Sequence, residues 1–225
     1  MRGGKFIVID GTDGSGKATQ TDILVKRLAE AGRAVFKISF PQYDKPSGAL
    51  VAKYLNGDYG TAEAVGPYRA SVFYACDRYD GSWAIRRALD EGKIVIADRY
   101  AFSNMAHQGG KIADDHERQV FFAWLDNLEF SIFQIPRPDL SLILHVPSAI
   151  GQQLVDAKDK RDYLKDGKRD IHEADLHHLE LAEKVYLDLA RTMPNTRLIE
   201  CVADGQIMSR EAIADLVWQE VKQII

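Results

Sequence analysis

Five short apolar runs punctuate the chain: Phe6-Ile7-Val8-Ile9, Ala34-Val35-Phe36-Lys37-Ile38, Ile94-Val95-Ile96-Ala97, Leu140-Ser141-Leu142-Ile143-Leu144 and Arg197-Leu198-Ile199-Glu200-Cys201. Nearly continuous runs of this kind suit strands covered on both faces. Between them apolar residues recur at helical spacing, as in Thr21, Leu24, Val25 and Leu28, then Val120, Phe121, Trp124, Leu125 and Leu128, and finally Ile213, Leu216, Val217, Val221 and Ile224. Strand and helix patterns therefore alternate. That order predicts an α/β fold, a mostly parallel five-stranded sheet flanked by helices, with its ligand crevice outside the carboxyl ends of the strands. Residues 157–170 break the pattern with six basic and four acidic side chains and almost nothing apolar, and they read as a mobile excursion between two helices.

Composition narrows the picture without changing it. A chain of 225 residues with 46% hydrophobic and 28% charged side chains can bury one sizeable core, which favours a single domain over 1–225 and excludes wholesale disorder. With 29 Lys plus Arg against 33 Asp plus Glu, the net charge of −4 argues against a general affinity for nucleic acid or acidic membranes, so any anion site must be local. Cys76 and Cys201 are too few for a disulfide framework and point to the cytoplasm. No apolar run approaches a membrane span, and Met1 to Lys5 leads into a strand instead of a signal-peptide core.

Directly after the first run comes Gly11-Thr12-Asp13-Gly14-Ser15-Gly16-Lys17-Ala18-Thr19, and then a helix pattern. Glycines let the backbone turn its N–H groups around an anion, the helix N-terminus adds partial positive charge, and Lys17 reaches the terminal phosphates of a nucleotide. Position 18 is Ala where Ser or Thr would place a hydroxyl on a magnesium ion. Thr19 stands one residue later, which leaves open whether it, water or a carboxylate elsewhere holds the metal.

A second group of candidates lies downstream. Asp98, at the end of the third run, faces the crevice if that run is a core strand, where it can hold metal or orient Arg99; a helix N-cap is the alternative. Tyr74 and Arg78 share one helix face at i, i+4, an apolar plate beside an anion clamp that suits a nucleotide. A core tyrosine beside a salt bridge, for instance to Asp77, would give the same spacing. Ser103 with His107 and Asn104 with Gln108 repeat the interval and can present polar groups to a base edge.

Taken together, these residues resemble the thymidylate kinases, which are P-loop nucleoside monophosphate kinases. The family-like pieces are Gly11 to Thr19, Phe40-Pro41-Gln42-Tyr43, Tyr74 to Arg78, Asp98-Arg99-Tyr100 with Ser103 to Gln108, Pro138-Asp139-Leu140 and Asp170-Ile171-His172-Glu173. The resemblance implies a P-loop NTPase-type three-layer sandwich, transfer of the γ-phosphoryl of ATP to dTMP with Mg2+, and a homodimer. It implies Tyr74 stacked on thymine, Arg78 on the acceptor phosphate and base, Ser103 and Asn104 at the base edge, and Phe40, Pro41 and Leu55 as apolar walls. Asp13 is implied to reach the deoxyribose and hold Arg99. Many relatives carry arginine where Tyr43 stands, and tyrosine is usual where His107 stands, so the phosphate grip and the discrimination against a ribose hydroxyl can differ here.

Some members place a catalytic arginine in the P-loop, at the position of Gly14; others supply it from a lid. Gly14 and the basic excursion resemble the second type, with Lys160, Arg161, Lys165, Lys168 and Arg169 as lid cations. Asp98, Thr19 and Glu173 are the candidate metal ligands. A kinase for dUMP, UMP or dCMP, and a nucleotide-binding regulatory module without turnover, remain as alternatives at this level.

Overall fold

The computed structural model describes residues 3–156 and 176–225. The excursion 157–170 with Lys160, Arg161, Lys165, Lys168 and Arg169, and also His172 and Glu173, lie outside the described residues.

Each apolar run is a strand: β1 (Lys5–Gly11), β2 (Val35–Ser39), β3 (Ile94–Asp98), β4 (Leu140–His145) and β5 (Thr196–Glu200). They form one sheet in the order β2-β3-β1-β4-β5, and every neighbouring pair is parallel. Because side chains alternate along a strand, β1 feeds both faces. Ile7 and Ile9 pack with Leu24 and Leu28 of α1 (Lys17–Glu30) and with Ile213 and Val217 of α8 (Arg210–Val221). Phe6 and Val8 pack instead with Ile85 and Leu89 of α3 (Ala62–Asp90). Beyond them Ile143 meets Met105 of α4 (Ala101–Gly109), Phe121 of α5 (Asp115–Asp126) and Val185 of α7 (Leu176–Thr192). Each fully buried side chain of this kind contributes about 1.5–3 kcal/mol, so the core carries the fold and leaves the sheet rim to polar chemistry.

The remaining described elements are α2 (Ala49–Leu55), which packs on α3, α6 (Ser148–Asp156), and a small antiparallel hairpin of β6 (Val202–Ala203) and β7 (Gln206–Ile207). Two local departures bear on the site. Gly66, with φ 73°, interrupts α3 just before Pro67. After α5 the chain widens into a π-helical turn, Asn127–Ile132, and Glu129 on that turn is completely buried. An extra residue in a helical turn rotates the positions that follow, which carries an acidic side chain inward beside the apolar stripe.

Candidate active site

The loop joining β1 to α1 is the glycine-rich segment. Gly11, Gly14 and Gly16 have φ of 140°, 80° and 82°, a backbone region that side chains rarely tolerate. Gly16 caps α1 with no side-chain bond, so the first-turn N–H groups are left for an anion. At Gly14 the restriction is also spatial. A Cβ there would lie 2.2 Å from the carbonyl oxygen of Gly151 on α6, and one on Gly151 would lie 2.5 Å from the Asp13 oxygen. The P-loop backbone thus seats directly on α6 through two glycines, and this packing has no room for a P-loop arginine.

Lys17 opens α1 and is buried. Its Nζ donates to the Thr12 carbonyl at 2.5 Å and to Ser15 Oγ at 3.4 Å. Burial, with the charge of Arg99 next in weight, lowers its pKa to about 7. Ala18 is exposed and Thr19 half-buried on the same helix.

Across the β1–β3 seam stands Arg99, held in the left-handed region at φ 65°, its N–H donating to the Ile9 carbonyl at 2.9 Å. Backbone strain of this sort concentrates where a side chain must be aimed. The guanidinium is ion-paired through Nη2 to Asp13, and Nη1 donates to Ser103 Oγ at 3.3 Å. Tyr100, not Asp98, is the residue that caps α4. Asp98 Oδ1 is buried without a hydrogen-bond partner among the described residues.

Twelve sequence candidates line one pocket at the carboxyl ends of the strands. Phe40, Pro41, Tyr43 and Leu55 form one side, Tyr74 and Arg78 come from α3, and Asp13 and Arg99 close the end nearest the P-loop. Ser103, Asn104, His107 and Gln108 come from successive turns of α4. Tyr74 meets the buried Tyr54 ring edge-on at 6.3 Å. Burial drives the His107 pKa well below its usual value, so the ring is neutral near pH 7.

Arg78 differs in detail from a simple anion clamp. Its Nε and Nη2 donate to Glu129 at 2.5 and 2.6 Å, both partners being buried, and only Nη1 is not bonded to that carboxylate. Asp77 is not the partner; it accepts from Gln42 N–H at 2.8 Å and from Ser47 Oγ at 2.7 Å, tying the Phe40–Tyr43 turn to α3. Sequence reasoning also passed over Asp10, whose Oδ1 accepts from Ser103 Oγ at 2.5 Å, and Tyr186, 2.9 Å from the same hydroxyl. Burial raises the Asp10 pKa. A signal for Asp10 existed: a carboxylate ends an otherwise apolar strand. Tyr186 and Glu129 gave none, since each sits at helical spacing far along the chain.

The two ends are chemically distinct. A backbone nest with a lysine has the chemistry to accept phosphates, and a walled slot with a tyrosine plate, two arginines and paired amides has room and charge for a planar base carrying an anion. Asp13 and Arg99 join them.

Comparison with known proteins agrees. The thymidylate kinase family model matches residues 9–208. A thymidylate kinase of Mycobacterium tuberculosis is 29% identical over 186 residues, 82% of this chain and 85% of that one. A probable thymidylate kinase of Thermococcus gammatolerans is 29% identical over 227 residues, 97% of this chain and 98% of its own. The human thymidylate kinase is 30% identical over 66% of this chain and 64% of its own length. Among solved structures, thymidylate kinase from Candida albicans superposes with a TM-score of 0.74 over 98% of this chain and 92% of that one, at 23% identity, a likeness of fold. With the family pattern running from the end of β1 to the last hairpin, on a fold shared with a solved thymidylate kinase, this chain belongs to the thymidylate kinase family.

Proposed function

We propose that this chain is a phosphotransferase that moves the γ-phosphoryl of ATP to dTMP, giving ADP and dTDP. One observation carries the choice of base. Asn104 Nδ2 donates to the Ser71 carbonyl at 3.2 Å, which leaves Oδ1 buried and, among the described residues, unpaired; Gln108 Nε2, one turn on, is buried and likewise unpaired among them. An acceptor and a donor, from residues one turn apart on α4, thus belong to the lining of one pocket. Thymine offers the complement, a ring N–H beside a carbonyl, whereas cytosine offers a ring acceptor beside an amine. Phe40, Pro41 and Leu55 supply apolar wall for the 5-methyl group. Initial rates with ATP, Mg2+ and a panel of dTMP, dUMP, UMP and dCMP test the reading: dTMP is expected to have the highest kcat/KM, and preference for dCMP would overturn it.

The acceptor is a phosphate monoester with a second pKa of about 6, so near pH 7 it is already ionised and needs no strong base. An acceptor oxygen attacks the γ-phosphorus as the bridging oxygen leaves with ADP. Catalysis is then aiming and charge. The backbone N–H groups of residues 12–18 and Lys17 hold the donor phosphates, Arg78 and Arg99 the acceptor, and Asp13 fixes Arg99 between them. Tyr43 and the neutral His107 border the sugar and phosphate.

Mg2+ fits the residues present. Asp98 offers an orphaned buried oxygen, and Mg2+ takes one or two carboxylates with waters and phosphates, needing no protein cage. Among the described residues no cluster of three metal-ligating side chains occurs, which accords with so sparse a site. Thr19 stands on α1 as the second candidate. Asp98 and Thr19 would hold the ion, which would supply charge neutralisation for the donor phosphates.

The lowered Lys17 pKa makes ATP binding pH-dependent. Free, the amine loses its proton above about pH 7; beside phosphates it must regain one. ATP is therefore expected to bind with proton uptake at pH 8, and its affinity to fall as pH rises from 7 to 9. Calorimetric titration in buffers of different ionisation enthalpy measures the proton count, and a value of zero would exclude the linkage.

A homodimer is proposed on the exposed stripe Tyr68, Val72, Tyr79 and Trp83, which recur on one face of α3; Trp83 is 62% exposed. Sedimentation equilibrium is expected to give twice the chain mass, and Trp83→Glu to return the monomer. No helix among the described residues is long and apolar enough to cross a membrane.

A further inference from the structure

Lys111, two residues beyond α4, does not line the acceptor pocket; it lies behind it. Its Nζ donates to Gln108 Oε1 at 2.8 Å and to the Tyr54 hydroxyl at 2.7 Å. An ammonium has three donors and no acceptor, so its partner must offer oxygen. The Gln108 amide then has one permitted orientation. Oε1 faces Lys111, and Nε2, fully buried and without a partner among the described residues, faces away from it. With a glutamine alone the two ends could exchange, since a side-chain amide that flips through 180° keeps its shape and reverses its chemistry.

Resting on the dTMP reading above, we infer that Lys111 is a specificity-determining positioning residue: by occupying Gln108 Oε1 it aims Nε2 at the base and makes the site select pyrimidine monophosphates presenting a carbonyl over those presenting an amine. Asn104 needs no such helper, because the Ser71 carbonyl accepts only a donor and so fixes that amide already. Among the described residues the Gln108 side chain has no backbone partner to do the same. Burial lowers the Lys111 pKa only to about 8, so the group is the donor-only ammonium at neutral pH.

The experiment compares kcat/KM for dTMP and dCMP in the wild-type chain and in Lys111→Arg, Lys111→Gln and Lys111→Met. Arginine is also donor-only and is expected to keep the wild-type ratio. Glutamine, which both donates and accepts, and methionine, which does neither, release the Gln108 amide and are expected to lower the dTMP-over-dCMP ratio about tenfold, the worth of one buried hydrogen bond. Lys111→Gln, one atom shorter, keeps a polar end at this position, so it carries the test should Lys111→Met fail to fold. An unchanged ratio in Lys111→Gln, or an equal loss in Lys111→Arg, would overturn the inference and leave the dTMP reading standing. A wild-type chain that phosphorylates neither monophosphate would overturn that reading and this one with it.

Discussion

Lys17→Ala is expected to lower kcat for phosphoryl transfer by about a thousandfold, on the scale of losing a preorganised charged donor to the transferring group, while the melting temperature stays where it was or rises. The second half follows from burial. Lys17 is 6% exposed and its pKa is lowered to about 7, which means that the folded state bears a cost for holding that charge. Alanine removes the cost together with the bonds to Thr12 and Ser15. We propose that the amine is kept for the ligand and not for the fold. Steady-state rates and a thermal melt of the same preparation decide the matter; turnover within tenfold of wild type would remove Lys17 from the phosphate site.

Glu129→Ala is expected to act the other way round, on the fold first. The Arg78–Glu129 pair is buried on both sides, at 2% and 0% exposure, so alanine strands a guanidinium in a dry interior. Breaking such a pair from one side costs about 3–5 kcal/mol, which for a domain of this size corresponds to a fall in Tm of about 6–20 °C. Activity should suffer through dTMP binding, because the carboxylate holds Arg78 at the pocket wall. Scanning calorimetry and KM for dTMP test the two parts, and a melt unchanged within about 1 °C would show that water or another group takes the place of the carboxylate. Glu129→Gln, which retains an acceptor but no charge, should fall between.

The contrast between these residues marks how far the sequence can be read. Lys17 was legible because its neighbours are local: a strand pattern, three glycines and a helix pattern occupy consecutive positions, and the chemistry of the nest follows from them. The five strands were legible for the same reason, since each run carries its own signature and the parallel order follows from the alternation. Asp98, Arg99 and the amides of α4 fell within reach because they follow directly on a strand whose carboxyl end must face the crevice.

Glu129 was not legible. Its partner is fifty-one positions away, its burial depends on a π-helical turn that no periodicity announces, and an isolated acidic residue beside an apolar stripe reads equally well as solvated. Lys111 was hidden in a different manner. Nothing in a lysine past a helix end says that it will meet a glutamine amide from behind, or that the Tyr54 hydroxyl will hold it there.

The amino-acid sequence by itself determined the α/β alternation, the glycine-rich turn before α1 and the residue types gathered at the rim, because those rest on neighbours along the chain. Tertiary structure alone decided which way those residues face and what they hold: Asp13 on Arg99, Glu129 on Arg78, Lys111 on Gln108, and Gly14 pressed on Gly151. Hydrogen-bond polarity and close backbone contact act over about 3 Å between segments far apart in sequence, and only the folded chain brings them within that distance.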